Sequence, residues 1–461
     1  MTEPAKITPR PSSAARLLHT SDWHLGVTVR GVSRAHDHSL VIDEIVEIAQ
    51  RAQPDLILHT GDLFDGHRPA MSEFGRAIHA LRALATVAPV VLIAGNHDAR
   101  VVLEVLQSAL NVDHREAVAT ERFSPTDRRI TVLARPVSPA NGAVMTFAST
   151  SGVDIRLCAL PFVHANRVLD EFDELTSPNV AYADNLAKLV SIISSDGLST
   201  FDPSSQVAVF ASHLHLAGAF TSSERPMHVS TNYATDTANI SASFAYLAFG
   251  HIHVPQAIAK GRGRYAGSVL EVDFGEEGEQ KSVVVVDLEP GRPAQHQLIP
   301  LVSPRRLRRF VGSMTDLHAQ AHEFVNTVCD ITIIATTAET PEELIDDSPA
   351  SLSTHIKSLL TDAEIVSITD ARRVPVSHKA HSTERHEHPA ITLSDAFGTW
   401  LSSRGSTLLK KHPKSDATHV QSLFDQLLDV AMGDEAPSTR QTTELARALA
   451  QLQPHELQGE Q

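Results

Sequence analysis

The chain alternates short apolar runs with longer amphipathic stretches, and this alternation continues over its first three hundred residues. Apolar runs fall near residues 16–21, 55–60, 90–94, 154–160, 206–212, 244–249 and 281–287. Nearly continuous apolar segments of this length suit strands covered on both faces, and 281–287 (KSVVVVD) is the plainest case. Between them, residues 35–52, 70–87, 100–110 and 182–195 read as helices. Strands alternating with helices predict a layered α/β architecture, sheets flanked by helices. Segment 101–110 (VVLEVLQSAL) is apolar around more of its circumference than a surface helix needs, which marks it as core or as a contact between copies.

The pattern changes near residue 300, where Pro290, Pro293, Pro300 and Pro304 bracket the end of the alternating region. A smaller α/β unit is expected over 301–376, with a strand at 330–336 and a helix around 350–361. Residues 377–389 read as a polar linker; its histidines 378, 381, 386 and 388 are irregularly spaced and have no cysteine beside them. Residues 390–461 regain helical spacing. Ala396, Phe397, Trp400 and Leu401 suggest one helix, and Val420, Leu423, Phe424, Leu427, Leu428 and Ala431 suggest another. Ser438 and Gln441 form a capping-box signal ahead of Leu445, Leu449 and Leu452. Short helices with narrow apolar stripes gain little stability alone, so docking on a partner stands beside packing on the core.

Composition bounds the function. At 461 residues the chain exceeds one ordinary domain, and 42% hydrophobic with 20% charged residues describes a globular protein. No apolar run approaches the roughly eighteen residues of a membrane helix, so no membrane association is expected. Residues 1–15 are rich in Pro, Ser and Ala without the apolar stretch of a signal peptide, and read as a disordered tail. Two cysteines, Cys158 and Cys329, are too few for a disulfide framework and suit a reducing cytoplasm; Cys158 sits in an apolar run as a small core residue. A net charge of −16 argues against a large autonomous nucleic-acid surface, because affinity for phosphates rests on Lys and Arg. The one dense basic run is Arg305, Arg306, Arg308 and Arg309, either a phosphate-contacting strip or a strand edge with solvated arginines.

The chemistry is concentrated at the ends of the apolar runs. Asp22-Trp23-His24, Gly61-Asp62-Leu63-Phe64-Asp65, Gly95-Asn96-His97-Asp98, His213 and Gly250-His251-Ile252-His253 together supply carboxylate, imidazole and amide donors. Such donors suit borderline divalent ions. Two of them about 3.5–4 Å apart could clamp the attacking and leaving oxygens of a displacement at phosphorus. In open α/β sheets, ligands collect at the carboxyl ends of the strands, where these segments are expected. Ser212-His213-Leu214-His215 offers two candidates, His213 and His215. His19 and His59, three residues before their aspartates, read as structural histidines, and Asp98 is as well suited to fixing a turn as to catalysis.

In order and type, these segments resemble the calcineurin-like metallophosphoesterases. The strings at 18–26 (LHTSDWHLG), 61–65 (GDLFD), 95–98 (GNHD), 247–253 (LAFGHIH) and 265–268 (YAGS) look more narrowly like the nuclease subunits of bacterial SbcCD-type complexes. The resemblance covers roughly 16–300. It implies a metallophosphoesterase core over 16–300, a capping domain over 301–376 and a helical partner-binding segment over 390–461. By that resemblance one metal is held by Asp22, His24, Asp62 and His253, and the other by Asp62, Asn96, His213 and His251; the family pattern favours His213 over His215. His97 would face the scissile phosphate as the catalytic acid, oriented by the Asp65 carboxylate. The implied cofactor is two divalent ions, Mn²⁺ foremost. The implied activity is DNA exonuclease and endonuclease cleavage of double-strand ends, hairpins and single strands, in repair and recombination. The implied partners are DNA, an SbcC-type SMC-like ATPase and a second copy of the chain, in a nucleoid-associated heterotetramer. A small-substrate phosphatase or a non-catalytic scaffold would use the same fold with less need of the cap and tail.

Overall fold

In the computed structural model, residues 5–110, 122–163, 182–216, 218–220, 237–334 and 349–372 are described. The linker histidines and the helices expected over 390–461 lie outside the described residues. Residues Met1–Val374 form one compact unit.

Two sheets pack face to face in its larger part. The first is six-stranded, in the spatial order Gln295–Pro300, Ser282–Leu288, Ala15–Thr20, Leu56–His59, Val90–Ile93 and Ile130–Leu133. Its last four strands run parallel, and Ser282–Leu288 joins antiparallel to Ala15–Thr20. The second is seven-stranded and centres on Asp154–Leu160, Gln206–His213 and Phe244–Gly250, which are mutually parallel.

The alternation of side chains along each strand explains the layering. Leu17, Leu58, Val91 and Ile93 point inward to meet Leu157, Val209, Ala211 and Tyr246 of the facing sheet. From the same strands, Leu18, Ile57 and Leu92 point outward onto Ile45, Ile48, Leu81 and Leu84 of helices Ala35–Ala52 and Met71–Ala85. Helix Tyr182–Gly197 covers the outer face of the second sheet with Leu186, Leu189, Val190 and Ile193. The result is a helix–sheet–sheet–helix stack in which every strand predicted from an apolar run is present within a residue or two. Strands Arg122–Phe123, Val144–Phe147, Gln256–Ile258 and Gly263–Tyr265 carry no comparable apolar run and extend the second sheet at its edges. Helix Arg100–Leu110 buries Leu103 and Leu106 and leaves Val101 and Val105 exposed, so only one of its faces is core.

Residues 5–14 depart from the expected disordered tail. Thr8 donates to Gln297 Oε1 at 2.9 Å, Arg10 pairs with Asp55 at 2.9 Å, and Ala14 is fully buried. The chain is held there because Asp55, at a strand start, also accepts from the Arg16 N–H at 2.8 Å.

The smaller part is a parallel three-stranded sheet, Arg306–Gly312, Thr327–Ile333 and Glu364–Asp370, with Thr327–Ile333 in the middle. Helices Met314–Gln320 and Pro349–Leu359 cover one face, over Phe310, Cys329, Ile331, Ile333 and Ile356. The first of these helices begins at a capping box, in which Ser313 and Asp316 satisfy each other's main-chain N–H groups. The other face places Leu307 and Val328 against Val29 and Phe274 of the larger part.

That contact is fastened by the basic run, which corrects its expected role. Arg305 bonds Asp37 at 2.9 Å and also Glu364. Arg308 pairs with Glu323, and Arg309 pairs with Glu277 and donates to the Phe274 carbonyl. Asp37 is in turn gripped at 2.6 Å by Arg34, a guanidinium fully removed from solvent that also donates to the carbonyls of Glu271 and Arg305. With three of its four guanidiniums committed to carboxylates of its own chain, the run is a staple between the two parts. Arg306 alone of the four has no carboxylate partner among the described residues.

Candidate metal centre

All the candidate donors converge at one end of the stacked sheets. Asp22 and His24 follow strand Ala15–Thr20, Asp62 follows Leu56–His59, and Asn96 and His97 follow Val90–Ile93. His213 ends Gln206–His213, and His251 and His253 follow Phe244–Gly250. Three sets of ligand atoms each lie within 4.8 Å of one another: Asp22, His24 and His253; His24, Asp62 and His97; and Asp22, Asp62 and His213.

Asp62 joins these sets. Its Oδ1 accepts from the His97 N–H at 2.8 Å. Its Oδ2 lies 3.7 Å from His24 Nε2 and 3.5 Å from His213 Nε2. Asn96 Oδ1 lies 2.9 Å from both His213 Nε2 and His251 Nδ1. His215 packs 6.3 Å from the His251 ring and is not among these sets, so of the two histidines on that strand end it is His213 that reaches the cluster.

The loops reach this point at the cost of backbone strain. Asp22, His24, Asp62 and His251 have φ values of 50°, 48°, 53° and 98°, the left-handed region that non-glycine residues rarely adopt, at about 1–3 kcal/mol each. Two glycines let the loops close. Gly61 has φ 103°, and a Cβ there would stand 2.3 Å from His213 Nδ1. A Cβ on Gly95 would stand 2.1 Å from Asp62 Oδ1.

The far sides of the imidazoles are fixed by groups around them. His213 Nδ1 donates to the Thr60 carbonyl at 2.8 Å, and His253 Nδ1 to Glu276 Oε1 at 2.7 Å. His24 Nδ1 lies 3.4 Å from Asp65 Oδ1. With their protons so placed, the Nε2 lone pairs of His24 and His253 face each other across 3.1 Å, and that of His213 faces two carboxylate or amide oxygens. Acceptors pointed at acceptors call for a cation between them, and the donor types are those of a divalent-metal site. In the metal-free chain a proton substitutes. Burial opposes charge on His213, but Asp62 and Asp22 beside it raise its pKa to about 9. Burial likewise favours the neutral Asp62 carboxyl, yet His213, His97 and His24 outweigh it and hold that group well below the usual carboxylate range.

His97 sits half-buried at the rim. Its Nδ1 donates to the main-chain oxygen of Asp65 at 2.6 Å, not to the Asp65 carboxylate as expected. The carboxylate turns to His24 instead, because the Asp65 N–H bonds the Leu25 carbonyl at 3.1 Å and lays this loop beside the Asp22–His24 loop. Asp98 is a loop anchor, accepting from the N–H groups of Leu63, Phe64 and Gly95. His19 bonds Tyr246 and Thr60, and His59 accepts from the Gly61 N–H, so both are structural. Three supporting residues carry no signal in the sequence. His38 donates to the Trp23 carbonyl at 2.7 Å, between Asp22 and His24. Glu276 holds His253, and Lys281 holds Glu276 at 2.7 Å.

A two-sheet core with carboxylate and imidazole donors converging at its strand ends defines a metal-dependent phosphoesterase, and the comparisons agree. The chain belongs to the calcineurin-like phosphoesterase family, whose family model matches residues 15–255. Within that class its sequence is similar to the SbcD subunit of the SbcCD nuclease of several bacteria. It is 34% identical over 302 residues to that of Bacillus subtilis (strain 168), covering 63% of this chain and 71% of that protein. It is 28% identical over 312 residues to that of Rhodobacter capsulatus, covering 65% and 72%. For Staphylococcus epidermidis the identity is 26% over 305 residues, covering 66% and 74%. No helix among the described residues is long and apolar enough to cross a membrane.

Proposed function

We propose that the chain is a metal-dependent DNA nuclease. It would cleave phosphodiester bonds at double-strand ends, hairpins and single strands, as the catalytic subunit of a complex with an SbcC-type SMC-like ATPase in DNA repair and recombination. The observation that carries this reading is Asp62, whose one free carboxylate oxygen lies between His24 on one side and His213 on the other. Asp22, His24, Asp62 and His253 would hold one ion, and Asp62, Asn96, His213 and His251 a second. Mn²⁺ suits this mixture of oxygen and nitrogen donors.

Two such ions, when bound, would supply Lewis-acid charge at phosphorus and activate water for attack. The remaining work falls to the chain. Because His97 gives its Nδ1 proton to the Asp65 carbonyl, its Nε2 remains to protonate the leaving sugar oxygen and to offset charge on the phosphoryl oxygens. Asp65 would act on the site twice, through its carbonyl on His97 and its carboxylate on His24.

The similarity to the SbcD proteins of bacterial SbcCD nucleases supports DNA as substrate and the ATPase as partner, with two copies of each chain in the assembly. The net charge of −16 is consistent with DNA being held substantially by that partner or by a cleft between copies. The test is cleavage of a hairpin DNA end, with manganese, with and without the ATPase, beside a small phosphodiester. Manganese-dependent cleavage of DNA, widened in range by the ATPase, is the expected result. Turnover of the small ester alone would make this a small-substrate phosphodiesterase.

A further inference from the structure

The short turn Phe274–Glu276 touches the metal centre with its last residue and the smaller unit with its first. Glu276 is fully buried. Its Oε1 accepts from His253 Nδ1 at 2.7 Å, and its Oε2 accepts from Lys281 Nζ at 2.7 Å, the Val272 N–H at 3.2 Å and Ser268 Oγ at 3.3 Å. Two residues earlier, Phe274 is 3% exposed and packs against Leu307 and Val328 of the smaller unit. Arg309, on that unit's first strand, donates to the Phe274 carbonyl and carries its guanidinium 5.9 Å from the ring centre; Arg30 covers the ring at 5.0 Å. Glu271 completes the attachment, accepting from the Leu307 N–H at 2.6 Å with one oxygen and from the Gly278 N–H at 2.9 Å with the other.

We propose that Glu276 is a positioning residue for His253, and that the seating of the smaller unit, felt through Phe274, sets the His253 half of the metal centre. The inference rests on the metal-site reading above. A single tight turn rises about 2 Å per residue and has no slack. A shift of Phe274 is therefore passed to Glu276, whose bond to His253 fixes both the tautomer and the tilt of that ring. Outer partners of metal-binding histidines change metal affinity by about 10–100-fold. The other half is insulated, since His213 takes its orientation from the Thr60 carbonyl on a different loop.

The experiment titrates Mn²⁺ into the metal-free full-length protein by calorimetry, with the visible absorption of bound Co²⁺ as a second readout. Wild type is expected to take up two ions. Uptake of none overturns the metal-site reading, and this inference falls with it. Glu276→Gln keeps the shape and removes the charge; it should weaken one ion by about 10–100-fold and change the Co²⁺ spectrum of that ion only. Phe274→Ala and Arg309→Ala should weaken the same ion, and Glu276→Gln/Arg309→Ala should be no weaker than Glu276→Gln alone. Arg308→Ala, which loses only the pair with Glu323 inside the smaller unit, should leave both ions unchanged. Should Phe274→Ala fail to fold, Arg309→Ala decides. Two ions bound unaltered by Glu276→Gln, equal weakening of both ions, or a fully additive double variant would each overturn the proposal while leaving the metal site standing.

Discussion

At the scale of single residues, the site is built from atoms whose alternatives are closed off by their neighbours. His97 has one nitrogen committed to the Asp65 carbonyl and makes no other hydrogen bond with a side chain among the described residues. His97→Ala is therefore expected to lower the rate of DNA cleavage by about 10²–10⁴-fold while two Mn²⁺ remain bound. Calorimetry beside the nuclease assay checks this, and loss of the ions would move His97 from catalysis to ligation. Gly95→Ala is expected to abolish metal uptake in a protein that still folds, because its Cβ would displace the Asp62 carboxylate. These donors were legible in the sequence because each directly follows an apolar run that becomes a strand. Glu276 was not legible, since it lies in an acidic stretch (EVDFGEEGE) with nothing to set it apart from a solvated turn. The orientation of Asp65 was hidden for a related reason. Sequence spacing places a residue beside a site but does not say whether its carbonyl or its carboxylate faces inward.

At the scale of elements, helix Ala35–Ala52 supports the site from behind. His38 on its first turn holds the Trp23 carbonyl, and burial, then the nearby Arg34 charge, lowers its pKa to about 4 although the bond to Trp23 works the other way. Burial also lowers His19 and His59 to about 3 each. The unfolded chain binds protons on these groups below about pH 6.5 while the folded chain does not. Their contribution to stability is thus complete above that pH and is lost progressively as pH falls toward 4, at about 1.4 kcal/mol per unit for each group. Urea midpoints measured from pH 7 to 4.5 should fall, and fall less steeply in His38→Gln. A second elemental feature is the staple between the two parts. Arg34→Met leaves Asp37 short of its buried partner and is expected to cost about 3 kcal/mol, read in the same urea experiment. The arginine run announced a basic patch by composition. Only the fold showed that Asp37, Glu323, Glu364 and Glu277 neutralise most of it.

At the scale of the whole molecule, residues Met1–Val374 form a unit that holds every proposed ligand and the smaller sheet. A chain ending at Val374 should retain manganese-dependent cleavage of single-stranded DNA and lose co-purification with the ATPase, which pull-down and nuclease assays would check together. Retained co-purification would move the partner surface out of the C-terminal segment.

The sequence by itself determined the strand and helix succession of the core, and the identity of the donors at the strand ends, because both depend on local order: burial periodicity within a run and the residues that end it. What only the tertiary structure decided is everything that joins positions far apart in the chain. That includes Asp62 lying between His24 and His213, the Glu276 bond to His253, and the arginines closing one sheet onto another. Such contacts are fixed by how whole sheets pack, and no spacing along the chain encodes the distance between two loops until the layers beneath them are in place.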